Sequence, residues 1–170
     1  MPNYAYFNQL AVEVKGGEKE GGACVLFYKE TDGKTYLLFQ KRAKTIENGG
    51  FFDLSSGGHI DEGETALIAA LRETEEEIGV TLSEEELIFL ISYATKKKFI
   101  NVYLSDRTGK NDVFTPNPDE VEALEWVSLE DLDDFIQTRM KKPLRKDPFW
   151  VLAVKVFFQE KSEEKPKETV

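Results

Sequence analysis

Apolar and polar positions along the chain alternate in short runs and switch to a helical rhythm at three places. Ala23 to Lys29 and Tyr36 to Arg42 are apolar runs rich in Val, Leu, Phe and Tyr, separated by Glu30-Thr31-Asp32-Gly33-Lys34. An Asp-Gly pair between two such runs is a hairpin signal, so the runs are predicted to pair as strands. Phe51 to Ser55 reads as a short strand feeding Ser56-Gly57-Gly58-His59, where two glycines permit a tight turn and close backbone approach. Leu87 to Tyr93 and Phe99 to Leu104 form a second predicted strand pair around Lys96-Lys97-Lys98. Val121 to Val127 alternates, carries Trp126, and is read as a further strand.

The helical rhythm is clearest from Thr65 to Ile78. At about 100° per residue, Leu67, Ala70, Leu71, Thr74 and Ile78 fall on one stripe, the expected core edge. Glu73, Glu76 and Glu77 share the flank beside it with Ala66 and Ala69, and Gly79 is the expected stop. Ser128-x-x-Asp131 opens a second helix, through about Met140, with a capping-box-like start. Asp147-Pro148 opens a third, Phe149 to about Glu160, whose β-branched content leaves a strand reading open. Around these lie weaker stretches: the aromatic Tyr4-Ala5-Tyr6-Phe7, a glycine-rich loop from Gly16 to Gly22, a loop over 43–50, and a long one over 105–119. The charged segment 161–170 has little to bury and is expected to be a disordered tail, leaving one domain over 1–160. Strand pairs interleaved with helices predict an α/β fold, a three-layer α/β/α sandwich around a mixed sheet.

Three carboxylates at i, i+3 and i+4 repel one another and weaken the helix that carries them. Their placement beside a core stripe points to a compensating cation. Crowded oxygen ligands suit Mg²⁺ or Mn²⁺ better than zinc, which prefers His and Cys.

Composition narrows the partners. The net charge of −10 disfavours binding to polymeric nucleic acid, yet a small phosphorylated substrate remains compatible, because a bound divalent ion reverses the local sign. The most apolar stretch, Phe149 to Phe158, contains Lys155 and is too short to cross a bilayer, and no secretory signal is visible at the N-terminus. The single cysteine, Cys24, forms no internal disulfide and fits a cytoplasmic setting. A homodimer is compatible with these features.

The segment Gly58 to Val80 resembles the Nudix box, G-x5-E-x7-R-E-U-x-E-E-x-G-U with U a bulky aliphatic residue. Gly58, Glu64, Arg72, Glu73, Glu76, Glu77, Gly79 and Val80 stand at its fixed positions. Thr74 departs from it, and its hydroxyl is expected to bond back to a helix carbonyl. Gln40-Lys41-Arg42 before the box, and Glu120-Val121 leading to Trp126 after it, extend the similarity to about 20–140.

The resemblance implies a Nudix-like sandwich and metal-dependent hydrolysis of a diphosphate linkage in a small nucleoside-diphosphate-type substrate. It implies Glu76, Glu77 and the Gly57 carbonyl as metal ligands, with Glu73 completing the metal site or accepting a proton. Arg72 would orient the glutamates, and Glu64 would brace the loop or meet a second ion. From the loop before Trp126, Glu120 is the preferred additional carboxylate over Asp112 and Asp119. Arg42 and His59 are candidates for substrate phosphate. Two other readings stay open. One is an isoprenoid-diphosphate isomerase, which in that fold uses a cysteine in a Cys-His context that Cys24, between Ala23 and Val25, lacks. The other is a non-catalytic nucleotide-binding module.

Overall fold

The computed structural model describes residues 20–95 and 97–164. The aromatic Tyr4–Phe7 run, Lys96 and the end of the expected tail lie outside them. Seven strands form a mixed sheet: β1 (Glu20–Thr31), β2 (Lys34–Arg42), β3 (Phe52–Leu54), β4 (Ser56–His59), β5 (Ile88–Ala94), β6 (Lys98–Asp106) and β7 (Val121–Ser128). Among them, β1 and β6 run parallel and the other pairs are antiparallel. The helices are α1 (Ala66–Ile78), α2 (Leu132–Arg139), the short α3 (Lys142–Arg145) and α4 (Pro148–Glu163).

The alternation along β1 and β2 sorts the core into two layers. Ala23, Val25, Phe27 and Leu38 face α1, packing on Ala66, Ala69, Ala70 and Ile78. Leu26, Tyr28, Leu37 and Phe39 face the other way, onto Phe135 of α2 and Trp150, Val154 and Phe158 of α4. This is the predicted α/β/α sandwich.

The β1–β2 hairpin turns at Asp32 and Gly33, whose φ values of 52° and 76° are those the Asp-Gly pair implied. Its ladder ends early, at Tyr28↔Leu37. There the strands splay, and Ser55 fills the gap: its Oγ accepts from Phe27 N at 2.9 Å and donates to Leu38 O at 2.5 Å. One buried hydroxyl thus replaces the next rung, sparing two backbone groups from burial without a partner. The chain on either side joins different strands, β3 to β2 and β4 to β1. The stretch Ser56–His59, expected as a tight turn, is therefore a strand, because β1 supplies its ladder from Gly22↔His59 to Val25↔Ser56. For the same reason β1 begins at Glu20, inside the stretch expected to be loop.

The third helix is a helix throughout. Asp147 caps it by accepting from Phe149 N at 3.0 Å, Pro148 takes its first turn, and it continues to Glu163, three residues into the expected tail. Ser128 opens the preceding segment as anticipated, accepting from Asp131 N at 3.3 Å, through a 3₁₀ turn, Leu129–Asp131, that leads into α2.

Candidate active site

Helix α1 starts where Thr65 Oγ1 accepts from Ile68 N at 3.1 Å, and it ends at Gly79, whose φ of 71° is the left-handed stop. Its buried face is rotated from the predicted stripe. Ala66, Ala69, Ala70, Thr74, Glu77 and Ile78 are buried, while Leu67 and Leu71 are only partly so. The alanines decide this: on the sheet-facing side they let the helix approach β1 and β4, where leucines would hold it away. Thr74 belongs to that close contact. Its Oγ1 donates to Ala70 O, as predicted, and lies 2.7 Å from Ser56 Oγ. The rotation carries Glu77 off the expected solvent flank and into the interior, 5% exposed.

Glu77 is held at both oxygens by neutral donors. Gly57 N donates to Oε1 at 2.6 Å, and Gln40 Nε2 donates to Oε2 at 3.1 Å. Glu73 packs against Gly58 so closely that a Cβ there would overlap its carboxyl group. Glu76 points outward, its side chain 55% exposed.

Arg72 ties these groups together. Nε and Nη2 both meet Glu64 at 2.9 Å, Nη1 meets Glu73 at 2.8 Å and Glu76 at 3.2 Å, and Nη2 also reaches His59 O at 3.0 Å. Glu64 Oε1 in turn accepts from Asp61 N at 2.9 Å. Glu64 is thus the brace between loop and helix, the first of its two expected roles. The Arg72 guanidinium is held protonated chiefly by its bonds to Glu64, against the cost of partial burial.

The carboxylates are less comfortable. Burial pushes Glu77 up to about 7, against the stabilising bonds from Gly57 and Gln40, with Asp53 and Glu73 raising it further. Burial also raises Glu73, opposed by Arg72 and reinforced by Glu76 and Glu120.

That influence of Glu120 on Glu73 reflects the path of the long loop. Thr115 N donates to Ile78 O at 2.9 Å and Asn117 N to Glu77 O at 2.8 Å, using carbonyls that the end of α1 leaves without helical partners. Arg107, buried, anchors the loop through Asp112 and Glu86. Ala43 N donates to Glu120 O at 2.9 Å. Of the three loop acids considered, Asp112 is the anchor's partner, Asp119 is exposed, and Glu120 is the one that acts on Glu73.

The remaining candidates have surroundings of their own. Arg42 donates to Glu47 O at 2.8 Å and to Asp53 Oδ2 at 3.2 Å, so its guanidinium braces the β2–β3 connection. His59, 64% exposed, lies 3.5 Å from Glu20. Trp126 packs against the α1-side core with Lys29 Nζ 4.3 Å from its ring centroid. Burial, with Asp53 adding to it, pushes the Cys24 thiol up to about 12. Leu26, Tyr28, Val102 and Leu104 are buried beneath the far layer, whereas Cys24, cross-strand from Gly57, and Ile100 and Tyr93 on the same face are only partly buried. Two surface cavities, about 490 and 430 Å³, adjoin α4 and are not lined by Glu64, Glu73, Glu76 or Glu77.

The donor set fits a hard divalent cation. Glu64, Glu73 and Glu76 share Arg72 as their cation, while Glu77 and Glu120 each interact electrostatically with Glu73. Among the described residues no three acidic, His or Cys side chains converge on one point, since Glu73 Oε1 and Glu76 Oε2 are turned onto Arg72.

Gln40 was not among the sequence candidates. Its signal was there: an amide directly after the apolar run Tyr36 to Phe39 and on the same strand face as Leu38.

A family model for the NUDIX domain matches residues 19–147. An uncharacterised Nudix hydrolase from Clostridium acetobutylicum is 30% identical over 116 residues, 63% of this chain and 56% of that protein. Nudix hydrolase 3 from Arabidopsis thaliana is 34% identical over 128 residues, 68% of this chain and 16% of that protein. The chain thus spans about half of the first relative and a sixth of the second. Among solved structures, a binary complex of an Ap4A hydrolase from Caenorhabditis elegans superposes with a TM-score of 0.62 at 20% identity, covering 85% of this chain and 98% of that one.

Proposed function

The chain belongs to the NUDIX domain family, and from that premise we propose that it is a divalent-metal-dependent hydrolase of a small nucleoside-diphosphate-type substrate. The observation that carries this reading is the Glu77 carboxylate, buried between neutral donors within reach of the influence of Glu73 and Asp53. Keeping such a group charged costs stability that a structural role would not require, and a bound cation offsets that cost.

Glu76, Glu77, Glu73 and the Gly57 carbonyl would hold the ion, Mg²⁺ or Mn²⁺. When bound, it neutralises phosphate charge and acidifies water. Glu73 or Glu120 accepts the proton as water oxygen attacks phosphorus. The P–O bond of the diphosphate bridge breaks, and its electrons leave with the departing phosphate. Arg72 keeps Glu64, Glu73 and Glu76 in register through charge-assisted bonds.

The test is turnover of nucleotide sugars, dinucleotides, nucleoside triphosphates and isoprenoid diphosphates with Mg²⁺ or Mn²⁺. A monophosphate product carrying ¹⁸O from labelled water supports the proposal. Interconversion of isoprenoid isomers, or saturable binding without product, overturns it.

A further inference from the structure

We propose that Gln40 is a positioning residue for the divalent ion, its amide nitrogen fixing the orientation of the Glu77 carboxylate. This rests on the metal-dependent reading above and assigns a role to a residue outside the glutamate-bearing segment.

Gln40 lies on β2, 1% exposed, on the face that meets α1. Both amide protons are used: Nε2 donates to Glu77 Oε2 at 3.1 Å and to Ser55 O at 3.2 Å. These bonds fix which end of the amide is which. Reversed, its oxygen would face a carboxylate and a carbonyl, acceptor against acceptor. The oxygen is thereby left in the remaining direction, where Oε1 is buried with no hydrogen-bond partner among the described residues.

A buried acceptor without a donor is destabilising, because it has given up its bonds to water. A simple brace between β2 and α1 would not need that arrangement. A hydrophobic residue would fill the same space without the cost, and Ser56 with Thr74 already links strand to helix. The amide is explained by what it does to Glu77. With Gly57 N on one oxygen and Gln40 on the other, the carboxylate has a single orientation, and lone pairs on each oxygen remain for a cation. Partners of this kind, bonded to a ligand rather than to the metal, commonly change metal affinity about 10- to 100-fold.

The experiment measures Mn²⁺ binding by electron paramagnetic resonance and calorimetry, with no substrate present. The proteins are wild type, Gln40→Met, Gln40→Asn and the control Thr74→Val. Gln40→Met keeps the volume and removes the amide; Gln40→Asn keeps the amide and withdraws it from Glu77. Both are expected to bind Mn²⁺ about 10- to 100-fold more weakly, with turnover partly recovered at high metal concentration. Thr74→Val, which loses the Ser56 bond, is expected to melt lower with unchanged Mn²⁺ affinity. If Gln40→Met does not fold, Gln40→Asn decides. Wild-type affinity in the folded Gln40 variants, or an equal loss in Thr74→Val, overturns the assignment of Gln40 alone. A wild-type protein that binds no Mn²⁺ overturns the metal site and this inference with it.

Discussion

The Glu73 carboxyl group rests against the α-carbon of Gly58, in the space a side chain would take. One glycine on β4 thus sets how near a carboxylate of α1 comes to the strand that carries the Gly57 carbonyl. Neighbouring Gly57 is equally constrained, because its Cβ would lie 2.8 Å from Cys24 Sγ. Gly58→Ala is therefore expected to displace Glu73 and lower kcat by at least about 10²-fold, the scale of a mispositioned acid or base. Circular dichroism of the purified variant should remain that of a folded α/β protein. Near-normal turnover would show that the contact has no catalytic consequence.

Glu77 makes the metal-free protein pH-sensitive. Its carboxyl titrates near 7 when folded and near 4.5 in the reference state, so between these values the folded protein holds a proton that the unfolded chain has lost. Stability from this group is therefore full below the lower value and declines as pH rises through the window, by about 3 kcal/mol. In EDTA, wild type should lose melting temperature relative to Glu77→Gln between pH 5 and 8, and Mg²⁺ should restore it. A pH-independent difference between the two proteins would count against a buried, strained carboxylate.

Glu76→Gln probes the opposite case. Its side chain is largely exposed and contributes little to folding, so the melting temperature should stay within a degree or two. Turnover should nonetheless fall by about 10²- to 10³-fold if it ligates the ion. Unchanged kcat at subsaturating Mg²⁺ would remove it from the metal site.

Glu120→Gln should reduce kcat by about 10²- to 10⁴-fold with little change in KM. Asp112→Asn should instead loosen the loop by freeing Arg107, lowering stability more than chemistry. Equal small effects on kcat at both positions would mean that the box glutamates act without help from this loop.

Cys24 carries a thiol that stays protonated at neutral pH, being pushed up to about 12 by its surroundings. Alkylation by iodoacetamide at pH 7.5 should be far slower than for a free cysteine, and Cys24→Ala should retain hydrolysis. Loss of turnover in Cys24→Ala, with the fold intact, would revive a cysteine-dependent isomerase.

Much of the molecule was legible in one dimension. Local rules specify the Asp32-Gly33 turn, the Ser128 and Asp147 caps and the Gly79 stop, since each depends on backbone geometry within a few residues. Glu64, Arg72, Glu73, Glu76 and Glu77 were legible too, because their spacing lies within one loop and helix. What sequence could not decide is which way that helix turns. Periodicity alone favoured the larger Leu67 and Leu71 as the core edge, while the space left by β1 and β4 admits Ala66, Ala69 and Ala70 and draws Glu77 inside. That rotation, the wedge at Ser55, and the meeting of Gln40 with Glu77 across 37 positions depend on how separate segments pack. The chain encodes these contacts only through the combined volumes and hydrogen bonds of the folded sheet and helix, so tertiary structure alone reveals them.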